Sequence, residues 1–162
     1  MSLAMAAPLG HRDNPAPRRA ARVLLVDRDD RVLMFRGSDP ATPGTSWWFT
    51  VGGGLDDGET SQQAAARELR EETGLDLPAA ELGEPVWHDV TEFSFNGYWY
   101  RQQQQFFLVR VQTWDVSVDG HDEIERDSIH AYHWWSADEL VATTEEYYPP
   151  RLPHLLREIL GS

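Results

Sequence analysis

The chain contains no cysteine, and that single absence removes disulfide cross-links, zinc–thiolate centres and thiol nucleophiles together. No apolar run approaches the length of a membrane span. The start of the chain also lacks the apolar core of a signal peptide, because Met1 to Ala7 is short and is followed by Pro8, Gly10, Pro15 and Pro17. A cytoplasmic location is the expectation. Positive charge is scarce too: Lys+Arg total 14 against 27 for Asp+Glu, a formal charge of −13 at pH 7. A field of that sign repels nucleic-acid polymers and anionic membranes, so a phosphorylated partner is expected to be a small molecule bridged to the protein by a metal.

What is present suffices for one domain, at 162 residues. Residues 1–20 mix Pro, Ala, Arg and Gly without periodicity and read as a flexible arm; Arg12, Arg18, Arg19 and the following Arg22 are able to attract phosphate, although a basic terminal arm is more often merely solvated. Residues 21–162 read as a single domain. Arg22 to Asp27 and Arg31 to Arg36 are β-type runs around a polar turn, the pattern of a hairpin. Gly37 to Thr45 is a loop, and Trp47 to Val51 is a strand leading into Gly52-Gly53-Gly54. Further on, Asn96-Gly97 between Phe95 and Tyr98 predicts a second hairpin, whose return strand runs from Tyr98 to Gln112. Thr113 to Asp127 is an acidic loop. Ser128 to Trp135 alternates as a strand, Ser136 caps a short helix, and Leu152 to Leu160 has one apolar face. His121, His130 and His133 lack metal-ligand spacing and read as structural or exposed. The elements make an α+β pattern with a mixed β-sheet flanked by helices.

The densest chemistry lies between Gly53 and Leu75. Thr60 followed three residues later by Gln63 is a capping box, and Gly74 suits the position just past a helix end, so a helix over Ser61 to Thr73 is predicted. On it Glu68, Glu71 and Glu72 fall at i, i+3 and i+4 and put three carboxylates on one face, beside an apolar stripe of Ala65, Ala66 and Leu69. Such a face repels itself unless something compensates it. Arg67 can pair with Glu71 one turn on, and a hard divalent cation takes carboxylate oxygens of this kind.

Gly53, Glu59, Arg67, Glu68, Leu69, Glu71, Glu72, Gly74 and Leu75 match the Nudix box without a gap: glycine, five residues, glutamate, seven residues, then Arg-Glu-apolar-x-Glu-Glu-x-Gly-apolar. A chance match is on the order of one in 10⁸ per start position. The chain thus resembles the Nudix hydrolases (MutT-like). The resemblance implies an α/β/α sandwich and a metal-dependent hydrolase that cleaves a diphosphate linkage in a nucleoside diphosphate joined to another group, by water attack at phosphorus. It implies Mg²⁺, or Mn²⁺, held by Glu68, Glu71, Glu72 and the backbone carbonyl of Gly53. Arg67 would orient a box carboxylate, Glu59 would support the metal shell and the helix start, and Glu71 would be a ligand or the base.

Family members commonly carry a proline before the glycines, where this chain has Val51. A glutamate beyond the box often completes such sites, which makes Glu123 and then Glu125 candidates. Gly52, Gly53, Gly54 and Trp48 are expected to touch substrate; Trp47, Trp48, Phe95, Tyr98, Trp99 and Tyr100 are the aromatics able to stack on a base, although buried aromatics more often serve the core. A nucleotide or another organic diphosphate is the expected partner, and a homodimer is compatible with these expectations. The alternative is a nucleotide-binding regulator that keeps the fold without catalysis.

Overall fold

The structure is a computed structural model describing residues 7–120 and 129–161, the side chains of Ile129 and His130 excepted. Among these residues seven strands form one sheet: β1 (Ala16–Val26), β2 (Val32–Gly37), β3 (Trp47–Gly54), β4 (Trp87–Phe95), β5 (Tyr98–Arg110), β6 (Ile129–Trp135) and β7 (Tyr147–Tyr148). The helices are α1 (Ser61–Thr73), α2 (Ala137–Ala142) and α3 (Leu152–Leu160), with a 3-10 turn at Ala79–Leu82.

β1 organises the sheet. It pairs in parallel with β5 over its whole length, from Ala16 opposite Tyr100 to Val26 opposite Arg110. On its other side it pairs antiparallel with the glycine end of β3, Ala20 to Val23 against Gly54 to Val51. β4 and β5 form the antiparallel hairpin predicted from Asn96-Gly97, and both turn residues have positive φ, 52° and 79°. β2 lies between β3 and β6, and β7 adds a short parallel edge to β3.

Alternation along β1 divides the core in two. Ala21, Val23 and Leu25 pack with Ala64, Ala65 and Leu69 of α1, while Leu24 and Val26 pack with Leu152, Leu155 and Leu156 of α3. The sheet is therefore covered by a helix on each face, and the α/β/α arrangement follows from period-two strands meeting two amphipathic helices.

Two expectations are corrected. β1 starts at Ala16, so residues 16–20, assigned to the flexible arm, are strand. Upstream, the Gly10 carbonyl accepts from the Trp99 amide at 2.8 Å, and a side chain at Gly10 would run into the Tyr98 ring. The β1–β2 hairpin also exists only at its base, Val26 opposite Val32. Beyond that point the strands separate, because β3 takes the place beside β1 where Gly52 and Gly53 allow a close approach.

Candidate active site

The phase of α1 is set at its first turn. The Thr60 hydroxyl accepts from the Gln63 amide at 3.1 Å, and the Gln63 side chain accepts from the Thr60 amide at 2.9 Å. At the other end Gly74, in the left-handed region at φ 81°, donates to the Arg70 carbonyl. With the start fixed, Ala64, Ala65 and Leu69 turn to the core, while Arg67, Glu68, Glu71 and Glu72 line a cleft with Gly52, Gly53 and Gly54.

Arg67 is the hub of the acidic face. Its guanidinium donates to both Glu59 oxygens at 2.8 and 3.0 Å, to Glu68 at 2.9 Å, to Glu71 at 3.2 Å and to the Gly54 carbonyl at 3.0 Å. These bonds hold the Glu59 carboxyl below its ordinary pKa, and Glu59 in turn raises that of Arg67. Glu59 also accepts from the Asp56 amide at 2.8 Å, which ties the turn before the helix to the helix itself.

Glu72 is 3% exposed and accepts from the Gly52 amide at 2.9 Å. A buried carboxylate requires such donors. The glycines permit the approach: Gly52 has φ 142°, and a Cβ there would sit 2.2 Å from the Ala21 carbonyl oxygen. At Gly53 a Cβ would fall 2.6 Å from the Glu68 carboxylate.

Two arginines form the floor beside these carboxylates. Arg18 and Arg22 share the strand phase of Leu24 and Val26, with Ala20 between them, and both line the cleft. Arg18 donates to Gln102 at 2.6 Å; Arg22 donates to Gln104 at 3.4 Å and to the Thr50 carbonyl at 3.3 Å. Gln102 donates to Gln104 at 3.0 Å, and Gln104 to Asp89 at 3.2 Å. Burial lowers the pKa of both arginines. Tyr100 and Glu68 oppose the shift at Arg18; at Arg22, Glu72 opposes it and Arg18 adds to it. In sequence Arg18 reads as part of a basic arm and Arg22 as the start of a strand, with nothing at either residue that marks them as one floor. The signal is an Arg-x-Ala-x-Arg alternation continuing into buried leucines, matched by Gln102 and Gln104 at a spacing of two.

Trp48, expected to face substrate, points the other way. It is 7% exposed, stacks edge-on against Trp135 at 5.2 Å and packs among the residues beneath α3. Its neighbour Trp47 lines the cleft instead, because adjacent strand residues face opposite sides. Glu123 and Glu125 lie outside the described residues, as do His121 and the His130 side chain. Gly120, just before them, lies against α1: a Cβ there would be 2.6 Å from the Glu71 carbonyl oxygen. His133 is exposed and bonded to Glu139 at 3.2 Å.

For a divalent cation the donor chemistry fits. Glu68, Glu71, Glu72 and the glycine-loop carbonyls are hard oxygen ligands, and Gly53 leaves room for the Glu68 carboxylate. Among the described residues no three acidic or histidine side chains are already grouped as a metal cage, since Arg67 lies between Glu59, Glu68 and Glu71.

A family model described as NUDIX domain matches residues 16–158. The chain belongs to the Nudix family. It is 35% identical over 133 residues to the RNA pyrophosphohydrolase of Erythrobacter litoralis (strain HTCC2594), covering 76% of this chain and 78% of that protein. It is 30% identical to the RNA pyrophosphohydrolase of Sphingopyxis alaskensis over 76% of this chain and 80% of that one. Among solved structures, the MutT protein from Methanosarcina mazei Go1 superposes with a TM-score of 0.65 at 16% identity, covering 90% of this chain and 94% of that one. The E. coli dihydroneopterin triphosphate pyrophosphohydrolase gives 0.57 at 21% identity, covering 91% and 100%. These two likenesses carry the fold alone. With its Nudix box complete, the chain is a Nudix hydrolase that cleaves a pyrophosphate linkage. Nudix hydrolases use divalent metal ions and act on nucleotide substrates. Among the described residues no helix is long and apolar enough to cross a membrane.

Proposed function

We propose that the cleft binds a small nucleotide through its diphosphate and hydrolyses it with Mg²⁺, which Mn²⁺ can replace. The observation that carries this reading is the placement of Arg18 and Arg22 in one cleft with Glu68, Glu71 and Glu72. Anionic phosphate oxygens need cations on both sides, and here the arginine floor faces the carboxylates that would hold a metal. Glu68 and Glu72 are its principal ligands and the Gly53 carbonyl a further one. When bound, the metal neutralises charge on the diphosphate and lowers the pKa of a bound water.

The chain's own groups do the rest. Arg67 holds Glu68 and Glu71 in register through the helix face and is itself held by Glu59. Glu71, the most exposed of the box carboxylates that Arg67 contacts, at 36%, is free to act as ligand or to take the proton of the attacking water. Arg18 and Arg22 draw phosphate oxygens to the floor, their guanidinium groups oriented by Gln102, Gln104 and the Thr50 carbonyl. Water adds at phosphorus, the bridging P–O bond breaks, and two phosphate products leave.

Glu72→Gln should reduce turnover by about 10³-fold or more while leaving the protein folded, on the scale set by removing one main electrostatic group. Near-wild-type hydrolysis by that variant with Mg²⁺ would remove the assignment. A second reading, an RNA 5′ end as substrate, is favoured by the names of the curated relatives, whereas the charge of −13 favours a small nucleotide. Phosphate release from a panel of nucleotides beside a 5′-triphosphorylated oligoribonucleotide separates the two.

A further inference from the structure

On the α1 side of the sheet, away from the cleft, a second hollow of about 310 Å³ opens where the helix begins. Its floor is a block of neighbouring strands. Arg19 of β1 stands beside Gln103 of β5, and Gln103 beside Val90 of β4; one row on, Ala21, Gln105 and His88 stand side by side. Ala21 packs under α1, so by alternation Arg19, Gln103, Gln105, His88 and Val90 share its face of the sheet. Arg19, Gln103, His88 and Val90 are exposed, beyond the cover of the helix. Asp89 is the one carboxylate in the lining among the described residues. It belongs to the opposite phase of β4, and its side chain accepts from Gln104 at 3.2 Å.

The polar groups around this hollow lack partners. Ser61, the first residue of α1, lines it and is 8% exposed, yet its hydroxyl makes no hydrogen bond among the described residues. A hydroxyl so nearly buried normally finds one. The Thr60 hydroxyl takes the Gln63 amide and the Thr60 carbonyl takes that of Ala64, which leaves the Ser61 and Gln62 amides open at the positive end of a 13-residue helix. Arg19 makes no ion pair among the described residues, although the chain holds 27 acidic residues against 14 basic ones. The side chains of Gln103, Gln105 and His88 likewise bond to none of the described residues. On their face of β4 the next acid, Glu92, stands opposite Arg101.

We propose that this hollow binds a phosphate group, with the Arg19 guanidinium on one side of it and the start of α1 on the other. A tetrahedral oxyanion directs oxygens to the strand floor, the β4 edge and the helix together, whereas a planar carboxylate directs both of its oxygens to one side. Arginine and open helix amides each favour such oxygens. The ligand is inorganic phosphate or a phosphate monoester, held apart from the carboxylates of the cleft, so the proposal does not depend on what the cleft cleaves.

Inorganic phosphate, methyl phosphate and acetate, each titrated into the full chain without added metal, test this through amide shifts in ¹H–¹⁵N NMR spectra, which also report whether a variant is folded. Phosphate should move the Ser61, Gln62 and Gln103 amides together and saturably. Arg19→Ala should weaken that binding about tenfold or more and Ser61→Ala about threefold, while Arg18→Ala, in the cleft, should leave it unchanged. Saturation by both phosphate compounds assigns a phosphate group in general, and saturation by inorganic phosphate alone assigns the free ion. Phosphate shifts confined to Gly52, Gly53 and Gly54, no saturable shift at the start of α1, or equal binding of acetate overturns the proposal. Wild-type affinity in both Arg19→Ala and Ser61→Ala does so too.

Discussion

Replacing Arg67 by Met keeps most of the apolar stem and removes the charge that Glu59, Glu68 and Glu71 share. The Arg67 side chain is 20% exposed, and those of Glu59 and Glu68 are 16% and 12% exposed, so the pairs lie between surface and buried ion pairs. Breaking a buried pair costs about 3–5 kcal/mol and an exposed one about 0–1 kcal/mol, which brackets this site near 3 kcal/mol at neutral pH and low salt. For a domain of this size that corresponds to a fall in Tm of roughly 10 °C. The pH dependence follows from Glu59. Its folded pKa is depressed, so its contribution is fully present above the ordinary carboxylate value of about 4.3 and is lost as pH falls through the lowered folded value. Arg67 is raised from a value already far above neutrality, so its own titration lies outside the measured range. Urea denaturation of wild type and Arg67→Met should show a gap that is constant from about pH 6 to 9 and narrows as pH falls below the ordinary carboxylate value of about 4.3. A gap below about 1 kcal/mol at neutral pH, or one unchanged near pH 3, would refute the view that Arg67 neutralises this face.

Gly53→Ala places a methyl group 2.6 Å from the Glu68 carboxylate, whose flexible end can move aside. Its kcat should fall about tenfold or more for a stability loss of only about 1 kcal/mol, read by kinetics and thermal melts on one preparation. Thr73 is fully buried; its hydroxyl donates to the Leu69 carbonyl at 2.5 Å and accepts from the Leu75 amide at 3.1 Å. Thr73→Val should therefore cost about 1–3 kcal/mol by chemical denaturation, and an effect within error would show that water reaches that amide. Treatment with EDTA should abolish turnover, and adding Mg²⁺ or Mn²⁺ should restore it; undiminished hydrolysis in the chelator would exclude the proposed metal role.

Local chemistry was what the sequence disclosed. The cap residues Thr60 and Gln63 and the stop at Gly74 predict α1 to the residue, and the apolar face at Leu152 to Leu160 predicts α3. Asn96-Gly97 marks its hairpin turn because few other pairs accept two successive positive φ values. The β1 start at Ala16 was hidden by Pro15 and Pro17, which weaken strand propensity and are tolerated only where no ladder bond is needed. Trp48 reads as a substrate contact because two identical neighbours, Trp47 and Trp48, carry no sign of which faces the core. Arg18 and Arg22 read as solvated because their partners, Gln102, Gln104 and Thr50, are distant in sequence. In the same way, nothing local to Asp39 shows that its carboxylate reaches Asn96.

The parallel pairing of β1 with β5 bears on how the enzyme comes to exist at all. Arg18 meets Gln102 across 84 residues of chain, so the floor of the cleft cannot form until a contact spanning about half the sequence has closed. Topologies dominated by such contacts fold slowly, because loop-closure entropy is spent before the contacts return any energy. The box helix, with its own cap and internal arginine, carries its instructions locally and can gain structure early. The carboxylates are thus arranged by neighbours in sequence, while the opposing cations wait for the completed sheet. A nascent chain would hold half of its chemistry long before it could use it.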